Sequence, residues 1–378
     1  MDFDLTEDQR LLNDSIARLL ADRYAFDARR GYIKSAQGWS QEMWDKYAEL
    51  GLLGLPFSED YGGFGGNAVD VMMVMEAFGK NLVLEPYLAT VVLGGTAIRL
   101  AGTEAQKGDL LPRIVDGSLK LAFAHSEQQA RYDLSDVMTT ATKDGAGWVL
   151  EGAKSVVFHG DCADTLVVSA RTAGDRMDPA GLTLFLVPAT TPGVARRGYA
   201  MRDGTRAAEI SLSGVKLGAD AVLGTVGKAM GTIEHVTQAG IAAMAAEAVG
   251  ACEAAHDMTL EYLRTRVQFG RPIGQNQVLQ HKAADMLIEV EQARSMAMLA
   301  AMMVDESDAA ERARNISMAK VGVGQSGRFV TQTAVQLHGG IGMTEEYAVG
   351  HYFRRVMAFE HVWGDSAYHL GLLADQVA

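Results

Sequence analysis

A lone carboxylate in an apolar segment is the first candidate for chemistry in this sequence. Residues 241–255 read IAAMAAEAVGACEAA, and Glu247 is surrounded there by alanine, methionine, valine and glycine. An unpaired carboxylate in such a setting is poorly solvated, so its pKa rises and it suits a general base near neutral pH. Two alternatives stay open: an ion pair with an arginine of another helix, or exposure to solvent. The first interpretation makes Glu247 the candidate catalytic base.

Polar side chains near the end of a predicted helix form a second candidate site. Residues 261–277 read EYLRTRVQFGRPIGQNQ, and we expect a helix to end near Phe269-Gly270 and the next element to begin at Pro272. The arginine fork matches a pyrophosphate, and side-chain amides bind the edges of rings. Charge compensation at a helix C-terminus explains the arginines equally well. The polar residues concerned are Arg264, Arg266, Gln268, Asn276 and Gln277.

Two further stretches contain closely spaced glycines. Residues 334–347 read AVQLHGGIGMTEEY, and a helix is expected to end at His338-Gly339-Gly340. Glycines there allow either a close approach of the backbone to a ligand or a left-handed helix cap. Residues 322–327, GVGQSG, match G-x-G-x-x-G, but a helical pattern precedes them where a dinucleotide-binding turn needs a strand. The second stretch therefore predicts close helix packing.

Composition limits the classes of partner. The 378 residues carry a net charge of −13, which argues against nucleic acid and against an anionic membrane surface. The two cysteines, Cys162 and Cys252, indicate neither a disulfide framework nor a zinc site. The opening MDFDLTEDQR lacks the basic and apolar parts of a signal peptide, and no apolar run is long enough to cross a membrane. We therefore expect a cytoplasmic protein without a metal.

Three regions must position these residues. Residues 1–118 read as helices, with a capped start at Thr6. Residues 119–224 contain short runs of β-branched and aromatic residues between turn signals, which predicts an antiparallel barrel or sandwich. From 225 to 378, apolar stripes at roughly 226–265, 275–304, 308–337 and 344–375 predict a four-helix bundle. The fold class is thus α+β, with a β domain between two helical ones.

These segments together resemble one family, the acyl-CoA dehydrogenases. The resemblance spans the chain and is carried by FDLTEDQRLL, LGLPFSEDYGGFGG, RVQFGRPIGQNQ and QLHGGIG. It implies N-terminal helices, a middle β-barrel and a C-terminal four-helix bundle, with FAD as the cofactor. It also implies a homotetramer, or a heterotetramer with another acyl-CoA dehydrogenase subunit.

The resemblance also implies which residues meet FAD. Arg266 and Gln277 are expected at its pyrophosphate, together with the neighbouring Gln268 and Phe269. The adenine-ribose end is expected to meet Gln336, Leu337, His338, Gly339 and Gly340. Ser126 and Phe158 take the places of residues of the β domain that contact the flavin in this family.

The implied reaction is α,β-desaturation of an acyl-CoA thioester. A carboxylate removes a proton next to the thioester carbonyl, and a hydride leaves the next carbon for the flavin. The family then usually passes the electrons to an electron-transferring flavoprotein. Gly240, Ala243 and Gly250 share a helical face with Glu247, so we expect room there for an acyl chain or the edge of the flavin.

The sequence departs from the family pattern at the places where a base is usual. The usual glutamate before a Gly-Thr corresponds to Trp363, which is followed by Gly364 and Asp365. The second known place is Gly240. Glu247 therefore remains the first candidate, Asp365 is the second, and Glu360 and Glu234 are more remote ones.

The β domain departs as well. SEQQARYD at 126–133 replaces the family's TExxxGSD, and Phe158 stands where a threonine is expected to bond to the flavin. A non-catalytic partner subunit of a heteromeric acyl-CoA dehydrogenase and an acyl-CoA oxidase are therefore the alternatives.

One type within the family is the most similar, the small-subunit type of pimeloyl-CoA dehydrogenase. The similarity rests on LGLLGLPF, YLATVVLGG and EYAVGHYFRR. It implies a dicarboxylyl-CoA such as pimeloyl-CoA, or another unusual acyl-CoA, as the substrate.

Overall fold

The computed structural model describes residues 6–376, so the first five residues and the last two lie outside it. The predicted capped start is confirmed, because the Thr6 hydroxyl accepts a hydrogen bond from the Gln9 amide at 3.2 Å. The Gln9 side chain in turn accepts one from the Thr6 amide at 3.0 Å. The N-terminal helices are α1 (Glu7–Arg23), α2 (Phe26–Lys34), α3 (Gln41–Glu49), α4 (Ala68–Asn81), α5 (Gly95–Ala101) and α6 (Glu104–Val115), with a π-helical segment at Leu88–Gly94.

Compact packing divides the chain into two units. The first, here called the bundle unit, contains the residues up to Gly31, Ala68–Val83 and the chain from Ile241 onward. The second, here called the β unit, contains Tyr32–Asn67 and Leu84–Gly240. Helices α1 and α4 thus pack with the C-terminal helices, although they precede the β strands in the sequence. The division into 1–118, 119–224 and 225–378 remains a prediction about sequence order.

The C-terminal helices confirm the predicted helical domain, with one difference. They are α7 (Met230–Thr265), α8 (Gln277–Met303), α9 (Ala309–His338), α10 (Val349–His361) and α11 (Ser366–Asp375). The helix predicted at 344–375 is therefore two helices. Trp363 and Gly364 interrupt it because both have positive φ, 54° and 112°, which no helical residue adopts. Within the described residues, no helix is long and apolar enough to span a membrane.

Helices α4 and α7 cross in very close contact at two glycines. A Cβ atom placed on Gly79 would lie 1.9 Å from the carbonyl oxygen of Glu247. A Cβ atom placed on Gly250 would lie 1.9 Å from the carbonyl oxygen of Glu76. Only glycine has room at either position, so the two backbones touch directly. The space that we expected beside Gly250 is therefore filled by α4, and the expectation of room for a ligand at that point is wrong.

The β unit is built on one sheet with the strand path β6-β7-β3-β2-β4-β5-β8, and β1 pairs with β4. Most pairings are antiparallel as predicted, but β1 and β2 run parallel to β4. Its core includes Trp148 packed edge-on against Phe185, with ring centroids 5.5 Å apart. The strands are β1 (Leu121–Ala124), β2 (Thr140–Asp144), β3 (Gly147–Phe158), β4 (Thr165–Arg171), β5 (Leu182–Pro188), β6 (Val194–Ala200), β7 (Arg206–Leu217) and β8 (Val222–Leu223).

The helix crossing gives a first prediction, for the variant Gly250→Ala. Its added methyl group must push α4 away from α7, and we expect the free energy of unfolding to fall by about 3 kcal/mol. The midpoint of urea unfolding measures the change. Gly371→Ala is the matched control, because Gly371 is an exposed glycine of α11 with open space around it. That control should gain up to about 1 kcal/mol from the higher helix propensity of alanine. Equal midpoints for the two variants would contradict the close crossing.

Candidate active site

Glu247 is buried in an ion pair. Its side chain meets the guanidinium of Arg355 on α10, and the two residues are 8% and 2% exposed. The same guanidinium nitrogen donates a hydrogen bond to the carbonyl of Val83 at 3.1 Å. The expectation of an unpaired carboxylate is therefore wrong, and the alternative of an ion pair with an arginine of another helix is what the structure contains. The physical argument for Glu247 as a base near neutral pH loses its premise.

The Arg355 contact is one of several that hold the end of α4. Arg29 donates to the carbonyl of Leu82 at 2.7 Å, and the Tyr352 hydroxyl donates to the carbonyl of Lys80 at 2.6 Å. Leu82 is buried and has a φ of 54°, so the chain turns sharply where α4 ends. The last carbonyls of a helix lack partners within it, and here side chains supply those partners. Glu247 therefore belongs to an anchor between α4, α7 and α10.

Asp365 lies in a different setting, directly after the break between α10 and α11. One of its carboxylate oxygens accepts the Tyr368 amide at 2.8 Å and caps α11. The other oxygen makes no hydrogen bond or ion pair with any residue in the described range 6–376, and the residue is half-buried. Glu360 is engaged instead, because its two oxygens accept the Ser366 amide and hydroxyl, each at 3.0 Å. Asp365 thus has an oxygen that no described residue engages and that is available to take a proton.

The polar residues after α7 lie on a short hairpin. Helix α7 ends at Thr265, as the apolar stripe at roughly 226–265 predicted, and before the end expected near Phe269-Gly270. Strands Val267–Gln268 and Arg271–Pro272 pair around a turn at Phe269-Gly270. Both turn residues have positive φ, 53° and 79°, as a tight two-residue hairpin requires. Phe269 is 103% exposed.

Most side chains of this hairpin are available to a ligand. Arg266 is exposed, and its guanidinium makes no hydrogen bond or ion pair within the described chain. Gln268 donates to its neighbour's carbonyl, that of Val267, at 2.8 Å. Gln277 is exposed as the first residue of α8.

The glycine stretch at 336–340 ends α9 at the same end of the bundle unit. The ring of His338 stacks on Tyr262, near the end of α7, with centroids 4.5 Å apart. His338 is buried, and this burial lowers its pKa, so the ring is neutral near pH 7. Gly339, with a φ of 64°, and Gly340 have open space where a side chain would be.

The two segments together suit a phosphate-containing ligand. An exposed guanidinium and an open glycine backbone provide a charge-assisted donor and close approach to the main chain. Gln336 is exposed, whereas Leu337 is buried and offers a ligand its backbone only.

Ser126 and Phe158 belong to the β unit, where both are half-buried. The carbonyl of Ser126 accepts the Ser155 amide at 2.8 Å, which attaches this residue to strand β3. Phe158 is the last residue of the same strand. The structure thus brings these two expected flavin neighbours to one part of the β unit.

A buried charge pair fixes the backbone beside Ser126. The ammonium of Lys154 donates to Glu127 at 2.7 Å and to the carbonyl of His125 at 3.2 Å. Burial opposes the ionisation of Glu127, but the attraction of Lys154 outweighs it and lowers the pKa of Glu127 to about 2. Burial lowers the pKa of Lys154 to about 8. The pair is therefore ionised near neutral pH and holds residues 125–127 against β3.

Sequence reasoning did not single out the buried basic residues. Arg29, Lys154, Lys320 and Arg355 are each at most 2% exposed. The only available signal was a basic residue inside an otherwise apolar segment, as Lys320 is in ISMAKVGVG. Long basic side chains are usually exposed, so this signal is weak without knowledge of the partner.

The Glu247–Arg355 pair gives a second prediction. Glu247→Gln leaves the buried Arg355 without its countercharge, so the free energy of unfolding should fall by about 3 kcal/mol or more. Glu253→Gln is the control on the same helix, because Glu253 is 28% exposed in its ion pairs with Lys80 and Arg294. It should lose about 1 kcal/mol or less. Urea unfolding of both variants measures the difference, and an equal loss would mean that Glu247 is not buried in an ion pair.

Comparison with known proteins identifies the family. Models of the N-terminal, middle and C-terminal domains of acyl-CoA dehydrogenases match residues 6–118, 122–215 and 231–378. The chain is 30% identical over 382 residues to a probable acyl-CoA dehydrogenase of Bacillus subtilis, YngJ, covering 100% of both proteins.

Two solved structures share the fold. Butyryl-CoA dehydrogenase of Megasphaera elsdenii superimposes with a TM-score of 0.91 at 29% identity, covering 100% of both chains. A chain of the ChsE4-ChsE5 complex from Mycobacterium tuberculosis superimposes with a TM-score of 0.88 at 26% identity, covering 100% of this chain and 99% of that one. The chain described here therefore belongs to the acyl-CoA dehydrogenase family, the oxidoreductases that act on acyl-CoA thioesters.

Proposed function

We propose that this chain catalyses the FAD-dependent α,β-dehydrogenation of an acyl-CoA thioester within an oligomer. The observation that carries the proposal is the end of the bundle unit, where the exposed Arg266 and the open Gly339-Gly340 backbone lie on segments joined by the Tyr262–His338 stack. The match of the family models along the chain supports acyl-CoA dehydrogenation as the reaction that this site serves. An electron-transferring flavoprotein is our proposed electron acceptor.

The residues present fit FAD as the cofactor. A pyrophosphate needs a positively charged partner, and Arg266 supplies a guanidinium that has no countercharge among the described residues. Gln268, Phe269 and Gln277 are near it in the sequence. When bound there, FAD would supply the acceptor for the hydride from the β carbon of the substrate. The remaining residues proposed to contact FAD are Gln336, Leu337, His338, Gly339 and Gly340 in the bundle unit and Ser126 and Phe158 in the β unit.

We propose Asp365 as the base that removes the α proton. A base needs an oxygen that is not already engaged, and in the described chain one oxygen of Asp365 meets this condition. Glu247 is instead an anchor for α4 through Arg355. Asp365 also lies only two residues from Trp363, the place that corresponds to the usual base of the family.

The proposed substrate is a dicarboxylyl-CoA such as pimeloyl-CoA. Support comes from LGLLGLPF, YLATVVLGG and EYAVGHYFRR, which resemble the small-subunit type of pimeloyl-CoA dehydrogenase. A comparison of dicarboxylyl-CoA and monocarboxylyl-CoA thioesters of equal chain length tests the substrate class.

A second candidate function is that of a non-catalytic partner subunit in a heteromeric acyl-CoA dehydrogenase. Two observations favour it. Trp363 stands in the place of the usual base, and Glu247 is engaged in an ion pair with Arg355. A chain of the two-protein ChsE4-ChsE5 complex is also among the structures that this chain resembles.

The visible spectrum of the purified chain tests the proposed function. We expect stoichiometric flavin that is bleached without oxygen when an acyl-CoA is added. A colourless protein that acquires flavin only after co-expression with a second family member would support the partner role. Rapid oxygen consumption without another acceptor would indicate an acyl-CoA oxidase.

Asp365→Asn tests the base in a third prediction. Asparagine caps a helix as well as aspartate does, so the fold and the bound flavin should persist. The rate of flavin reduction by acyl-CoA should fall by about 10²-fold or more because no proton acceptor remains. Stopped-flow absorbance measures this rate. Glu247→Gln, assayed per bound flavin at a temperature where it is folded, should keep the wild-type rate. A reversed result would return the role to Glu247.

A further inference from the structure

We propose that Lys320, Ser317 and His369 are positioning residues that fix the turn Val362–Asp365 and thereby orient the carboxylate of Asp365. This inference rests on the proposed role of Asp365 in acyl-CoA dehydrogenation. The turn, here called the Trp363 turn, connects α10 to α11. The two α9 residues lie one helical turn apart, so both face it from the same side.

The Trp363 turn has a backbone that needs external support. Trp363 has a φ of 54°, a conformation that bulky residues rarely adopt, and Gly364 follows with a φ of 112°. A Cβ atom placed on Gly364 would lie 2.6 Å from Nε2 of His369, so the imidazole ring occupies the space of a side chain. Such backbones persist where the surrounding structure over-determines them, and they are frequent at active sites.

Lys320 supports the turn from its N-terminal side. Its buried ammonium group donates hydrogen bonds to the carbonyl of Phe359 and, at 2.9 Å, to the carbonyl of Val362. It also lies 3.8 Å from the centroid of the Phe359 ring. These carbonyls lie at the end of α10, where the Val362 amide donates to the carbonyl of Phe359 at 3.3 Å. Lys320 supplies a further donor to both carbonyls, which the regular helix ladder leaves without their usual partners. Lys320 thus fixes the direction in which the chain leaves α10.

His369 supports the next carbonyl along the chain. Its Nε2 lies 3.0 Å from the carbonyl oxygen of Trp363, and because a carbonyl only accepts, this nitrogen must carry the hydrogen. Burial lowers the pKa of His369 to about 4, so the ring is neutral near pH 7. Its Nδ1 is then an acceptor, and the hydroxyl of Ser317 donates to it at 3.0 Å. The Trp363 carbonyl therefore sets the tautomer, and Ser317 holds the other nitrogen of the ring and with it the ring's orientation.

Together these contacts leave Asp365 little freedom. The carbonyls of Val362 and Trp363 are held from α9 and α11, and one Asp365 oxygen is held by the amide of Tyr368. Because both sides of the turn are fixed, the orientation of the Asp365 carboxylate is restricted, and with it the direction in which its remaining oxygen points. A purely structural helix cap would stabilise the protein without affecting catalysis. A mild variant therefore lowers kcat if these contacts position Asp365, and lowers only the stability of the fold if they do not.

The test uses the holoenzyme labelled with 5-fluorotryptophan and the variant Ser317→Ala. The chain has four tryptophans, and Trp363→Phe assigns the fluorine signal of Trp363. We expect Ser317→Ala to shift or broaden that signal alone. In steady-state assays kcat should fall by about 10-fold, with KM within about twofold of wild type, since misplacing a catalytic group slows the chemical step.

Ser326→Ala is the matched control. Ser326 is also a buried serine of α9, but it donates to Glu289 at 2.5 Å, away from the turn. It should leave the fluorine spectrum and kcat unchanged. Lys320→Met is a stronger variant and should move the same signal further if it folds.

Three outcomes separate the possibilities. A Trp363 signal that Ser317→Ala does not move overturns the inference, because the turn is then held in another way. A shifted signal with wild-type kcat also overturns it, because the contacts then serve stability only. A wild-type holoenzyme whose flavin no acyl-CoA reduces instead overturns the proposed function, and with it any catalytic meaning of the turn, even where the fluorine result agrees.

Discussion

The contact between α4 and α7 is the constraint on which the bundle unit depends. Gly79 and Gly250 bring the two backbones together, and the Glu247–Arg355 ion pair lies beside this crossing. Each feature has its own requirement: a buried charge needs its partner, and touching backbones need the absence of side chains. The crossing and the ion pair together tie α4, α7 and α10, and the pair explains why a carboxylate is tolerated among alanines.

Because Glu247 is engaged in this arrangement, the proposed catalytic base lies in another part of the bundle unit. A carboxylate that anchors a helix through a buried guanidinium is already engaged by that partner and is poorly placed to exchange protons with a substrate. The break between α10 and α11 offers the opposite conditions, since a strained turn presents Asp365 with one engaged oxygen and one available. The same turn has a tryptophan with positive φ in the usual place of the base.

Buried basic residues perform a common task in both units. Arg29, Arg355 and Lys320 each donate to carbonyls where a helix ends. Lys154 donates to the carbonyl of His125 beside the end of β1. In each case a long side chain reaches a backbone group that regular secondary structure leaves without a partner. The irregular segments that the proposed function uses, around Ser126 and Asp365, are held in this way. The hairpin at 266–272 and the loop at 339–340 are instead exposed, which suits segments that bind a ligand.

The sequence by itself determined the order of helical, β and helical regions, the capped start at Thr6, and the segments that resemble the flavin-binding motifs. Periodicity and turn signals are local properties, and motifs such as RVQFGRPIGQNQ are read without coordinates. Tertiary structure alone decided that Glu247 is paired, that the predicted helix 344–375 breaks at Trp363, and that α7 gives way to a hairpin before Phe269. The charge state and freedom of a buried carboxylate depend on groups more than a hundred residues away, here Arg355. No pattern within a single helix contains that information.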